Sequence, residues 1–173
     1  MRYIDTGAMY RAVTLYCMRN GIIKSQVVHR DNLLKFLNKI SINFEFNLIT
    51  KESETILNGE NVESIIRGIE VSDNVSIIAQ IKEVREKLIT LQQEIGESKN
   101  VVMDGRDIGT KVFPDAKLKL FVTAHAEIRA KRRYAELIKK GEDVTFNKIL
   151  KNLNDRDAHD VNRKINPLLQ AKD

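Results

Sequence analysis

Apolar and polar residues repeat with two different periods along this chain, and the switches between them mark out its elements. Tyr3 and Ile4 read as the end of a strand, Asp5-Thr6-Gly7 as a polar turn, and about Ala8 to Asn20 as a helix stopped by Gly21. Residues 31 to 39, DNLLKFLNK, predict a short amphipathic helix. The period then falls to two: Ile40, Ile42, Phe44 and Phe46 alternate with polar residues, as in a strand with one buried face. Residues 54 to 57, Asn58-Gly59 and residues 60 to 62 predict a hairpin with a tight turn, so 40 to 66 read as a small antiparallel insert. From about Ser72 to Glu97, Ile77, Ile81, Val84, Leu88, Leu91 and Ile95 keep helical spacing. Ser76 and Arg85 lie off that stripe, and on an unbroken helix they would face opposite ways; they can share a ligand only if the helix breaks.

The stretch NVVMDGRDIGTKVFPDAKLKLFV, residues 100 to 122, reads as strand, polar loop, strand, with apolar runs at Val101 to Met103 and Leu118 to Val122. Ala130, Tyr134, Leu137 and Ile138 then mark one face of a helix ended by Gly141, its early part crowded with Arg129, Lys131, Arg132 and Arg133. A second helix, with Phe146, Ile149, Leu150 and Leu153 on its apolar side, runs into residues 155 to 163, DRDAHDVNR, and Pro167 closes the segment. There are no repeats, low-complexity tracts or Pro- or Ser-rich linkers.

At 173 residues, 42% hydrophobic and 31% charged, the chain suits one medium α/β domain, or a core with a small subdomain. No apolar run is long enough to span a bilayer and residues 1 to 5 carry no signal-peptide core, so a cytoplasmic location and no membrane partner are expected. The single cysteine, Cys17, reads as core packing. A net charge of +5 and a pI near 9.3 favour an anionic partner. Because acids and bases are interspersed and aromatics are few, phosphate groups fit that partner better than long nucleic acid.

Three polar knots carry the candidate chemistry: Asp5 to Arg11, Asp104 to Asp107, and Arg156 to Arg163. In open α/β sheets ligands sit beyond the carboxyl ends of strands, which is where the first two fall. Guanidinium groups grip phosphate at two points and carboxylates hold magnesium or sugar hydroxyls, so the combination suits a nucleotide phosphate site. Asp104 suits a magnesium-side carboxylate and Arg106 a phosphate clamp. DTGAMYRA at 5 to 12, VREKL at 84 to 88, VVMDGRDIGTKVFPDA at 101 to 116 and RDAHDVNR at 156 to 163 together resemble the bacterial cytidylate kinases, over Tyr3 to Asp173.

That resemblance implies a P-loop kinase-like fold, with a parallel sheet flanked by helices, an antiparallel insert and a helical lid. It implies transfer of the γ-phosphoryl group of ATP, with Mg2+, to CMP or dCMP, and a monomer at full length. Residues 1–39 and 67–124 would form the core and acceptor region, 40–66 the insert, 125–165 the lid with its flanking helices, and 166–173 a C-terminal segment. By similarity, Thr6 and Tyr10 line the acceptor site, and Arg11 and Arg106 hold the CMP phosphate. Ser76, Arg85 and Asp107 read the cytosine edge. Arg156 and Asp160 lie around the sugar and phosphate, Arg163 near the transfer point, and Asp104 near magnesium. Arg129, Arg132 and Arg133 belong to the lid. An acceptor that is already an anionic oxygen needs no histidine base, so His29, His125 and His159 are expected to be surface residues.

Three departures from the pattern set further expectations. Members of the family carry a GxxxxGK[ST] loop for the ATP phosphates; here Gly105 to Lys111, GRDIGTK, has different spacing and no P-loop occurs. Both ends read as clipped, so the sheet is expected to have a gap between 101–103 and 118–122, filled by a longer polypeptide or another chain, and this chain alone is expected to be inactive. Lys82 stands where many members have proline, which weakens the expected helix break. Two rival readings share the same residues: a magnesium phosphohydrolase built on Asp104, Asp107, Asp155, Asp157, His159 and Asp160, and a non-catalytic CMP- or RNA-binding fragment.

Overall fold

In the computed structural model, residues 2–98 and 100–173 are described, and they form two compact units, 1–108 and 109–173. The first is built around one helix. Strand β1 (Arg2–Asp5) leads directly into α1 (Thr6–Arg19), which buries Thr6, Ala8, Met9, Tyr10, Ala12, Val13, Thr14, Leu15 and Cys17. A helix buried on nearly every side must have partners all round. The buried Thr14 hydroxyl is satisfied within the helix, Oγ1 donating to the Tyr10 carbonyl at 2.8 Å. At the C-terminus Gly21 adopts φ +64, with Gly21 N donating to Met18 O and Ile22 N to Cys17 O. That is a Schellman ending, which drives Ile22 into the core at 1% exposure.

A short hairpin of β2 (Ile23–Lys24) and β3 (Val27–Val28) follows, unforeseen in the sequence because its turn uses Ser25 and Gln26 at positive φ instead of glycine. After α2 (Arg30–Leu37) come β4 (Ile42–Phe46), β5 (Ser53–Leu57) and β6 (Glu60–Asn61), an antiparallel sheet in the order β4-β5-β6. Asn58 and Gly59, at φ 50 and 85, make the two-residue turn that the Asn-Gly pair predicts. A single turn, α3 (Glu63–Ile66), returns the chain to α1.

The long helical stripe is two helices, α4 (Ile69–Ile78) and α5 (Lys82–Glu97). Ile81 between them is extended, φ −77 and ψ 121, so the break forms with Lys82 in the first helical position. Arg85, expected off the apolar stripe, is instead on the buried face of α5 at 1% exposure. Strand β7 (Val101–Asp104) pairs in parallel with β1, in register Arg2↔Val101 to Asp5↔Asp104, and ends at the same level. The helices α1, α3, α4 and α5 and strands β2, β5 and β7 all touch within this unit, with α1 common to most contacts.

The second unit contains a π-helical turn over Ile108–Val112, begun in the first unit, and two packed helices, α6 (Ala126–Lys139) and α7 (Phe146–Asn162). Gly141 ends α6 at φ +78. The strand expected at Leu118 to Val122 does not form: these residues have no regular structure, and Leu118, Leu120 and Val122 are 74%, 77% and 87% exposed. A strand persists only where a neighbour pairs its backbone groups, and no described strand pairs with this one. The rest of the polar DRDAHDVNR run is helical, lying inside α7 up to Asn162. No helix among the described residues is long and apolar enough to cross a membrane.

The α4–α5 junction yields a stability prediction. Proline fits a first helical position preceded by an extended residue, the geometry Ile81 and Lys82 already have, and it restricts the unfolded chain. Lys82→Pro should therefore stabilise the protein by about 0.4–1 kcal/mol, read as a higher urea midpoint at unchanged m-value.

Candidate functional site

The parallel register of β1 and β7 sets two carboxylates, Asp5 and Asp104, side by side at the carboxyl ends of the strands. Asp5 caps α1, its Oδ1 accepting from Ala8 N at 3.1 Å. Thr6 turns the other way and donates through Oγ1 to the Asp104 carbonyl at 2.7 Å, tying the start of α1 to the end of β7. Gly105 is required beside them, because a Cβ there would overlap Thr6 Oγ1 and stand 2.9 Å from the Ile108 side chain.

One turn further along α1, Tyr10 is 9% exposed and its ring lies under the Arg85 guanidinium, 5.4 Å from ring centroid to Cζ. Arg85 Nη2 donates to Asp107 Oδ2 and Nη1 to the Ala79 carbonyl at 3.0 Å. The pair is buried, at 1% and 6% side-chain exposure. Two charges so far from water must hold each other, and the planar fork stacked on an aromatic face is the arrangement arginine favours. One donor remains: Arg85 Nε is buried with no partner among the described residues.

Arg11 points toward α3 and α4, donating to the Ile66 carbonyl at 3.0 Å and Ser72 Oγ at 2.8 Å. Ser76 lies one turn beyond Ser72 on α4 and is partly exposed; its backbone carbonyl accepts from Gln80. Arg106 is exposed and acts electrostatically on Asp104. Direct contacts thus join Thr6 to Asp104, and Tyr10 and Asp107 to Arg85, whereas Arg11 and Ser76 are held from the α4 side. In the other unit, α7 carries Arg156 and Asp160 at helical i,i+4 spacing. Arg163 at its C-terminus pairs with Asp160 at 3.1 Å and donates to the Asn166 carbonyl at 2.6 Å. Arg129 on α6 grips Asp157 on α7 with two hydrogen bonds, 3.1 and 2.5 Å, while Arg132 and Arg133 lie near Glu136 on their own helix. His29, His125 and His159 are exposed.

The strand-end carboxylates have unequal surroundings. Desolvation, then the charge of Asp5, holds the Asp104 carboxyl above its ordinary value, against the opposing pull of a Tyr3 hydrogen bond, Arg106 and Arg67. Desolvation and the same two carboxylates push the Tyr3 phenol up to about 12. Among the described residues no group of three or more His, Cys, Asp or Glu side chains could hold a metal ion. Magnesium bound largely by substrate phosphates needs only one or two carboxylates, and Asp104 fits that requirement.

Sequence patterns did not point to Tyr3, Glu63, Ser72 or Arg67. Arg67 bonds Asp5 Oδ2 at 2.6 Å and Glu63 Oε1 at 2.7 Å; Glu63 stands four residues before it, at helical ion-pair spacing, whereas Asp5 is 62 residues away in sequence. The sequence showed Asp5 as part of a polar turn before a helix; its place beside Asp104 needed the strand register.

Two outcomes test this geometry. Asp107→Ala leaves Arg85 charged and buried without its counterion, and should cost about 3–5 kcal/mol in denaturant unfolding, whereas the double change with Arg85→Met should recover a large part of that loss. Asp104 is held in its protonated form more strongly in the folded than in the unfolded chain, so its contribution to stability is full below the unfolded carboxyl pKa and is lost as pH rises through the raised folded value. Asp104→Asn should therefore raise the thermal midpoint at neutral pH, with the gain vanishing below about pH 4, the ordinary aspartate range.

The chain also matches known proteins along its length. The cytidylate kinase family model matches residues 1–173. A cytidylate kinase of Parabacteroides distasonis is 52% identical over 171 residues, covering 99% of this chain and 75% of the relative. Cytidylate kinases of Bacteroides fragilis and Flavobacterium johnsoniae are 52% and 51% identical over 171 residues, covering 99% of this chain and 75% and 74% of theirs. Similarity of this extent, spanning both units and all three polar knots, places the chain in the cytidylate kinase family of enzymes.

Proposed function

We propose that this chain binds CMP or dCMP as the acceptor of the γ-phosphoryl group of ATP, with the acceptor seated at the carboxyl ends of β1 and β7. The observation that carries the reading is the buried Arg85–Asp107 pair stacked on Tyr10. A fixed carboxylate beside a fixed guanidinium offers an acceptor for the cytosine amino group and a donor for its ring edge. Sites built this way reject a base whose edge leaves those groups unpaired. Ser76 completes the cytosine edge, and Thr6 and Tyr10 form its wall.

Arg11 and Arg106 hold the CMP phosphate, and Arg156 and Asp160 of α7, with Arg163 just past its end, serve the sugar and phosphates. The acceptor oxygen is anionic from the outset, so these residues align it and neutralise charge, and none has to remove a proton. Arg106, Arg156 and Arg163 are the catalytic cations. Magnesium, when bound with ATP, supplies further neutralisation of the phosphates, with Asp104 as the carboxylate on its side. Arg129, Arg132 and Arg133 are assigned to the lid. No GxxxxGK[ST] loop occurs in the 173 residues, so no residue here is assigned to the ATP phosphates and these residues alone are not expected to turn over. The decisive test therefore reads acceptor binding.

Calorimetric titration of the chain should give saturable binding of CMP, weaker binding of cytidine, and weaker binding of UMP. Arg11→Met should weaken CMP by tenfold or more, since a charge-assisted hydrogen bond is worth about 1.5–3 kcal/mol, while cytidine affinity changes little. Equal loss for CMP and cytidine would remove Arg11 from the phosphate, and equal affinity for CMP and UMP would remove Arg85 and Asp107 from the base.

A further inference from the structure

Two carboxylates in the first unit are each divided between two neighbours, one oxygen apiece. Glu63 Oε2 accepts from Thr55 N at 3.1 Å and Thr55 Oγ1 at 2.6 Å, on the central strand of the insert. Its Oε1 accepts from Arg67 Nε at 2.7 Å. Asp5 Oδ2 accepts from Arg67 Nη1 at 2.6 Å, and Asp5 Oδ1 accepts from Ala8 N in the first turn of α1. The result is an unbroken series from β5 to the N-terminus of α1: Thr55, Glu63, Arg67, Asp5, Ala8.

The series is sheltered. Thr55 is fully buried, and the side chains of Glu63, Arg67 and Asp5 are 24%, 29% and 20% exposed. Ion pairs at this depth are screened less than surface pairs, and a guanidinium fork between two carboxylates fixes direction as well as distance. Glu63 and Arg67 also bracket Ile66, whose carbonyl holds Arg11. The same short segment therefore sets the start of α1 and the direction of a phosphate-facing arginine.

We propose that Arg67 is a positioning residue, which with Glu63 registers the first turns of α1, and hence Thr6, Tyr10 and Arg11, against the antiparallel insert. Its value for CMP rests on the acceptor reading above; its effect on α1 does not. Arg67 acts by holding Asp5 in the one orientation in which Oδ1 caps Ala8. Lysine has a single charged point in place of a fork, so it cannot hold both carboxylates in these directions.

The test uses the ligand-free chain first, by residue-resolved amide exchange, and then CMP titration. Glu63→Gln, which leaves Asp5 and Arg67 in place, should speed exchange at Ala8 by about fivefold, in the lower range of coupling between linked sites, while amides of α6 stay unchanged. Arg67→Lys should not restore the wild-type rate. In both variants CMP should bind about fivefold more weakly. Thr55→Val, a milder change at the far end, should shift Ala8 in the same direction and serves if either charged variant is poorly folded. Unchanged exchange at Ala8 in folded Glu63→Gln or Thr55→Val would overturn the proposal. A wild-type chain that fails to bind CMP would overturn the acceptor reading instead, with Ala8 exchange still deciding the role of Arg67.

Discussion

Burial of α1 on nearly every side is the constraint on which the rest of the structure depends. A helix with one exposed face can slide or rotate a little; a helix surrounded by α3, α4, α5 and the strands β2, β5 and β7 has one position. Its N-terminal turn is then fixed at the carboxyl end of β1, beside the end of β7, and Thr6 pins the two together through the Asp104 carbonyl. Side chains one and two turns along, Tyr10 and Arg11 among them, inherit that position. Thr6 and Tyr10 are thus placed by an apolar core, on a helix that starts at the strand ends, whereas Arg106 and Asp107 lie in the bend after β7.

The site spends stability on charge. Asp5 and Asp104 stand at the same register position, Asp104 resists ionisation, and Arg85 and Asp107 are taken out of water together. Such a pair is weak evidence for stability, since apolar replacements of the same shape often do as well. Its use is directional: a fork and a carboxylate, both immobile, present fixed hydrogen-bonding edges. The buried Nε of Arg85 extends that pattern, as a donor that the described residues leave unpaired.

Much of this was legible in the sequence because local chemistry dictated it. Asp5 before Thr6 signalled a helix start, Gly21 its end, and Asn58-Gly59 a two-residue hairpin. The strand ending at Asp104 and the two helices after it also followed from apolar period. What was not legible depended on partners distant in sequence. Leu118 to Val122 has a strand's composition, yet no described strand lies alongside to pair it. The break at Ile81 forms without the proline that would announce it, and it carries Arg85 inward where periodicity placed it outside. Arg67 stands four residues after Glu63, an ordinary helical pairing, but its bond to Asp5 exists only because the fold brings β1 alongside it.

The central claim is that the acceptor base lies against Arg85, and the most direct measurement is the nitrogen-15 resonance of the Arg85 side-chain Nε–H during titration with CMP. Saturable movement of that signal with CMP, absent with AMP, is the result the account predicts. An Arg85 signal that stays in place while CMP binds would contradict it and move the acceptor site elsewhere.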